Sequence, residues 1–248
     1  MTNELTDRKF WANYWESKQG LAFIVPPNYT FHKILQNVVK KTGVKTAVEL
    51  GGFPGYYAIF LKKYLGVKAA LFDYYVHPAI LTDVLKINSL GNDDVKVIEG
   101  DLFKYEPTEY YDLVLSAGLI EHFEDTKDII ARHLTFLNPG GTLVITLPNF
   151  TGINGWLQRN YDVENYSKHN IKSMDPQLLA KYCAELGLKD IQAGYYGKFS
   201  VWLENKSQQT VTVKAFFKLL WLTGKIVTKL VPIESQRLSP YIVLTATK

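Results

Sequence analysis

Residues 48–58 read VELGGFPGYYA, an apolar run that carries Glu49 and then breaks into a glycine-rich turn before a helical pattern. Such a stretch predicts a strand, a tight turn and a helix. A turn of this kind sets bare backbone N–H groups and the positive end of a helix close to a ligand, and it needs residues without side chains. Gly51, Gly52 and Gly55 supply them. The dinucleotide order G-x-G-x-x-G is not met, because counting from Gly51 its later glycine slots hold Phe53 and Tyr56. A nicotinamide or flavin cofactor is therefore not expected.

From residue 44 the chain alternates strand and helix patterns with short connections, which argues for an α/β fold with a parallel sheet covered on both faces. Strands are expected at 44–50, 67–73, 95–99, 111–116 and 142–147, with helices at 55–65, 78–89 and 125–137 between them. A helix at 175–186, a strand at 189–196 and a last strand at 240–247 follow. The chain has 248 residues, 47% of them apolar, enough for one large α/β core. Its net charge of +4 is too mild to argue by itself for nucleic acid. A lone cysteine, Cys183 within LLAKYCAELG, excludes an internal disulfide framework and a cysteine zinc site, and reads as a buried inert thiol. The expected compartment is the reducing cytoplasm. MTNELTDRKF lacks the pattern of a signal peptide, and no uncharged apolar run reaches membrane-spanning length.

The order acid, Leu, Gly, Gly, two residues, Gly resembles motif I, E/D-x-G-x-G-x-G, of the class I S-adenosylmethionine (SAM) dependent methyltransferases. Glu49, Gly51 and Gly55 fit; Phe53 stands where the middle glycine belongs, and Pro54 removes one N–H donor. Further matches sit at the following strand ends. Asp73 closes ALFDYY, 22 residues after Gly51, where an acid can accept the hydroxyls of a ribose. Asp101 and Leu102 lie in IEGDLF, at the position that reads adenine in the family. YDLVLSAGLIEHF and LNPGGTLVITLPN are close to the family's fourth and fifth strands, and Ala117 and Gly118 end the fourth. The resemblance covers about residues 44–149. It implies SAM as cofactor, held by Glu49, Gly51, Gly52, Gly55, Asp73, Asp101, Leu102, Ala117 and Gly118. It also implies a Rossmann-like, doubly wound seven-stranded sheet with the last strand inserted antiparallel.

Methyl transfer from SAM is an in-line displacement, so the protein must align a nucleophile and, where needed, take its proton. The segment after the fourth strand offers His122, an imidazole whose ordinary pKa suits a base near neutrality; the alternative is a helix-capping or packing role. GLIEHF also resembles the E-x-x-E-H metal signature of certain O-methyltransferases. Glu121 and His122 match it, but Gly118 stands at the first glutamate, so no metal is expected. Residues 148–174 form an expected lid, with Trp156 and Tyr166 as candidate acceptor contacts and His169 as a second base or a surface histidine. Residues 1–43 form an expected cap, whose Phe10, Trp11, Tyr14 and Trp15 fall on one helical stripe, with Tyr14 a further acceptor contact. PPNY at 26–29 reads as a turn.

Residues 201–239 are an insertion before the last strand, and Gly224 is expected to bend or split its helix. Lys214, Lys218, Lys225 and Lys229 share one helical face beside aromatic residues. Either this segment walls the acceptor pocket, or 214–231 rests on an anionic membrane surface. The resemblance implies an enzyme that methylates a hydroxyl of a small molecule. Alternatives are an amine acceptor, a lipid-linked acceptor, and a SAM-binding protein without turnover. No nucleic-acid partner is expected, since neither an RNA module nor a concentrated basic patch is present.

Overall fold

The computed structural model describes residues 5–206, 209–230 and 233–248. Residues 1–4 of the N-terminal cap, 207–208 of the insertion, and Val231 of the basic 214–231 stretch lie outside the described residues. The chain opens with α1 (Arg8–Ser17) and α2 (His32–Thr42). It then alternates β1 (Thr46–Leu50), α3 (Tyr56–Leu65), β2 (Lys68–Asp73), α4 (Pro78–Ile87), β3 (Val95–Glu99), β4 (Tyr111–Ala117), α5 (Thr126–Thr135) and β5 (Leu137–Pro148). After β5 come α6 (Ile153–Tyr161), α7 (Val163–Ser167), α8 (Pro176–Glu185), β6 (Lys189–Tyr196), α9 (Val211–Leu230) and β7 (Tyr241–Thr247).

The seven strands form one sheet in the order β3-β2-β1-β4-β5-β7-β6, with β7 antiparallel to both neighbours, as the methyltransferase resemblance implies. Alternate residues of the central strands enter opposite cores. Val48, Leu50, Val114 and Ile145 face the side covered by α5 and α8, whereas Ala47, Leu113, Leu115 and Val144 face α3. Burial on both faces is why these strands read as unbroken apolar runs rather than as alternation. Cys183 is fully buried on α8, and burial pushes its thiol up to about 12, so the inert reading holds.

Two features differ from expectation. Helix α5 stops at Thr135, and β5 begins at Leu137, because Leu137 pairs with Tyr111 ahead of a register shift in the β4–β5 ladder. Residues 148–174 contain two short helices, α6 and α7. Gly224 does not split α9; a Cβ there would lie 1.9 Å from the Phe199 ring, so the glycine permits close packing. Among the described residues, no helix is long and apolar enough to cross a membrane.

Candidate active site

The sheet order reverses between β1 and β4, and a crevice opens at their carboxyl ends, where open α/β sheets bind ligands. Gly51 turns the chain out of β1 at φ +61, and a Cβ there would fall 2.4 Å from a Leu119 methyl group. A Cβ on Gly52 would fall 2.1 Å from Cγ of Glu49. Gly55, at φ +90, is the N-cap of α3 and has no side chain to cap with, so Glu49 does the capping: its Oε2 accepts from the Ala58 N–H at 2.7 Å. Glu49 is 2% exposed, and burial pushes its carboxyl up to about 8 against the pull of the Ala58 and Tyr57 N–H groups.

Asp73 holds the other side of the turn. One oxygen accepts from the Phe53 N–H at 2.9 Å and the other from the Tyr75 N–H at 3.1 Å, and the Tyr74 N–H also bonds the carboxylate. Burial raises this carboxyl to about 6. Phe53, at the missing glycine of the motif, spends its N–H on Asp73 and buries its ring edge-on to Trp15, with centroids 5.2 Å apart.

Two adjoining cavities lie along the crevice. A narrow slot of about 60 Å3 is lined by Asp73, Gly100, Leu102, Leu119 and Phe123. A wide cleft of about 750 Å3 is lined by the glycine turn, Ala117, Gly118 and the lid. Trp11, Trp15, Gly51, Gly118 and His122 wall both, so α1 lies across the junction and narrows the slot to room for a few water molecules. The helix is tied at both ends. Arg8 pairs with Glu99 at the end of β3, while Tyr14 Oη donates to Glu204 at 2.7 Å and Lys18 pairs with the same carboxylate.

The far end of the cleft is assembled from the β4 loop and the lid. Ile120–His122 form one 3₁₀ turn, and Asn170 stitches the lid onto it by donating its N–H to the Glu121 carbonyl at 2.6 Å. That seam brings the His122 and His169 rings to 4.8 Å between centroids. His122 Nδ1–H donates to the Lys168 carbonyl at 3.0 Å and His169 Nδ1–H to the Asn165 carbonyl at 2.7 Å, so in both rings the lone pair is left on Nε2. Glu121 is 1% exposed, and its Oε2 has no hydrogen-bond partner. Ligating atoms of the three side chains fall within 4.8 Å of one another, a set that could hold a divalent ion, although Gly118 supplies no fourth donor. Burial pushes Glu121 up to about 8 and His122 down to about 3, and lowers His169 as well. The ordinary imidazole pKa expected for His122 is thus corrected: it is neutral throughout the physiological range.

Several expected site residues stand elsewhere. Asp101 lines neither cavity; its Oδ1 accepts from the Phe103 N–H at 2.9 Å and its Oδ2 pairs with Lys104 at 2.8 Å, while Leu102 beside it does line the slot. Trp156 is 48% exposed on the outer side of α6, edge-on to Tyr161, because the lid folds into helices that turn it from the cleft. Tyr166 packs behind the cleft, stacked on Phe150. Tyr14 and His169 both line the cleft. Trp202, Glu204 and Lys168 also line it, and no local pattern in the sequence marks them.

Residues 27–193 match the model of a family described as a methyltransferase domain. The chain belongs to the class I SAM-dependent methyltransferases. The family's cofactor, SAM, suits the residue types present: an acid at the end of β2, apolar side chains beside it, and a turn where a Cβ on Gly51 or Gly52 would meet Leu119 or Glu49. Among solved structures, the Haemonchus contortus phosphoethanolamine N-methyltransferase 2 in complex with SAM is similar at TM-score 0.58 and 15% identity, over 87% of this chain and 52% of that one. The methyltransferase chain thus spans about half the length of that protein. A proposed sarcosine dimethylglycine methyltransferase from Galdieria sulphuraria matches at TM-score 0.57 and 16% identity over 97% of both chains. NodS, an N-methyltransferase of Bradyrhizobium japonicum, matches at 0.52 and 12%, over 99% of this chain and 94% of its own. No curated protein sequence matches the chain.

Proposed function

We propose that this methyltransferase methylates a hydroxyl group of a small-molecule acceptor held in the wide cleft. One observation carries the reading: the Nε2 lone pairs of His122 and His169 form a pair of proton acceptors on the cleft wall, beside the Glu121 carboxyl. A hydroxyl must lose its proton as it attacks, whereas an amine already in its neutral form brings its own lone pair. SAM supplies the electrophilic methyl group. Asp73, Leu102 and the Gly51–Gly52 turn would hold the cofactor, and α1, lying across the junction of the two cavities, would shield it from water. His122 takes the acceptor proton on Nε2. The Lys168 carbonyl fixes that tautomer, and Glu121, which holds its own proton below about pH 8, offsets the imidazolium charge only once it has ionised.

A second reading, a lipid-linked acceptor, is supported by a further cavity of about 540 Å3. It is lined by Leu203, Val213, Phe217 and Trp221, and it shares Trp202 with the cleft. Formation of S-adenosylhomocysteine, followed with hydroxylated, amine and isoprenoid-linked acceptors in turn, tests both. Turnover with hydroxyl acceptors alone supports the first reading, and turnover with amines alone removes it. Activity should survive a chelator; loss restored by a divalent ion would reassign the Glu121, His122 and His169 trio to metal binding.

A further inference from the structure

Helix α9 has three faces, and only one packs on the protein. Phe217 and Thr228 are buried, Gly224 lies against Phe199, and Val213 and Leu220 pack with Leu157 and Leu203. On the outward side, Phe216, Leu219, Leu222 and Ile226 are 41%, 61%, 53% and 58% exposed. At 3.6 residues per turn these four fall within an arc of about 120°. Lys218, Lys225 and Lys229, all exposed, form a row along one edge of that arc, with the Lys225 ammonium 3.7 Å from the centre of the Trp221 ring. VTVKAFFKLLWLTGKIVTKL contains no acidic residue.

An apolar stripe left in water and flanked by an uncompensated cationic row is complementary to one kind of surface, apolar below and anionic above. We infer that α9 seats the protein on an anionic lipid bilayer, with Phe216, Leu219, Leu222 and Ile226 below the headgroups and Lys218, Lys225 and Lys229 among them. The helix is not apolar enough to cross, so it lies in the interface. Its aromatic neighbour Trp221, 39% exposed, sits at headgroup level, where indole rings favour the boundary. A second copy of the chain fits less well, since a two-fold contact through this face brings the two lysine rows toward one another. The inference stands whatever atom the enzyme methylates.

The test uses the full chain and sedimentation with vesicles of phosphatidylcholine alone or with one part in three of phosphatidylglycerol. Binding is expected to the mixed vesicles, not to the neutral ones, and should fall as salt rises. Each lysine near such a surface is worth about fivefold in partition, so Lys218→Glu, Lys225→Glu and Lys229→Glu together should lower binding more than about a hundredfold. Leu219→Ser with Ile226→Ser should also weaken it, with the lysines intact. SAM affinity, measured on the same samples, should not change in either variant, which shows that the fold survives. No binding to the mixed vesicles at low salt overturns the inference, as does binding that ignores the serine variant. Concentration-dependent dimerisation lost in that variant, without vesicle binding, assigns the face to a second copy instead.

Discussion

The two ends of the cleft differ in how their polar groups are satisfied. At the cofactor end, Asp73 and Glu49 are buried carboxyls whose oxygens are held by backbone N–H groups, at 2.9 and 3.1 Å on Asp73 and 2.7 Å on Glu49. At the acceptor end, Glu121 Oε2 has no partner, and two imidazoles use only Nδ1. An unpartnered buried polar atom costs stability, so the acceptor end keeps groups that a fold alone would have paired or removed. One end is braced by backbone N–H groups, and the other keeps acceptor atoms free.

The largest effect that could break this contrast lies at the acceptor end. His122→Ala should lower kcat by about 10²–10⁴ and leave SAM affinity nearly unchanged, measured by S-adenosylhomocysteine release and calorimetry. Because burial holds His122 near 3, the wild-type rate should be flat between about pH 5 and 7, and it should rise as Glu121 ionises near 8. A variant within a few-fold of wild type moves the base to His169. At the cofactor end the split should reverse. Asp73→Ala removes a buried acceptor for hydroxyls, worth roughly 1–3 kcal/mol, and should weaken SAM binding about tenfold or more with little change in kcat at saturating SAM. Unchanged affinity would take Asp73 out of the site.

Smaller effects sharpen the boundary between the ends. Glu204→Gln loosens the tie from Tyr14 and Lys18, and part-exposed contacts of this kind are worth about 1 kcal/mol or less. Acceptor KM should rise a few-fold in steady-state kinetics; an equal loss in SAM binding would mean that α1 closes over both ligands as one unit. The last test reads stability rather than turnover, through its pH dependence. Glu121 is raised from 4.5 to about 8, so the folded state holds a proton that the unfolded state has lost, and stability falls as pH rises through that window. In Glu121→Gln the fall in Tm between about pH 4.5 and 8 should be shallower than in wild type. Equal slopes would show that Glu121 titrates normally.

Sequence by itself determined the α/β sheet, its glycine turn and the place of Asp73 at the crevice. Those features rest on neighbours in the chain: apolar runs that bury on both faces, glycines where a Cβ has no room, and Asp73 at a strand end. Strands β3 and β6 fall where the alternation predicts them. Tertiary structure alone decided the acceptor end. Two buried histidines, His122 and His133, are both held well below the ordinary range. His133 spends both nitrogens, on the Ile129 carbonyl and the Ser116 hydroxyl, whereas His122 keeps one for the cleft. Likewise, a lid that coils into helices turned Trp156 outward, and the insertion carried Trp202 and Glu204 into the cleft. Helix α9 carries apolar residues on both sides of its lysine row, so periodicity could not say which side it buries; the Phe199 ring against Gly224 did. Contacts between residues far apart in the chain leave no local pattern, because each partner satisfies its own segment's propensity equally well without the other.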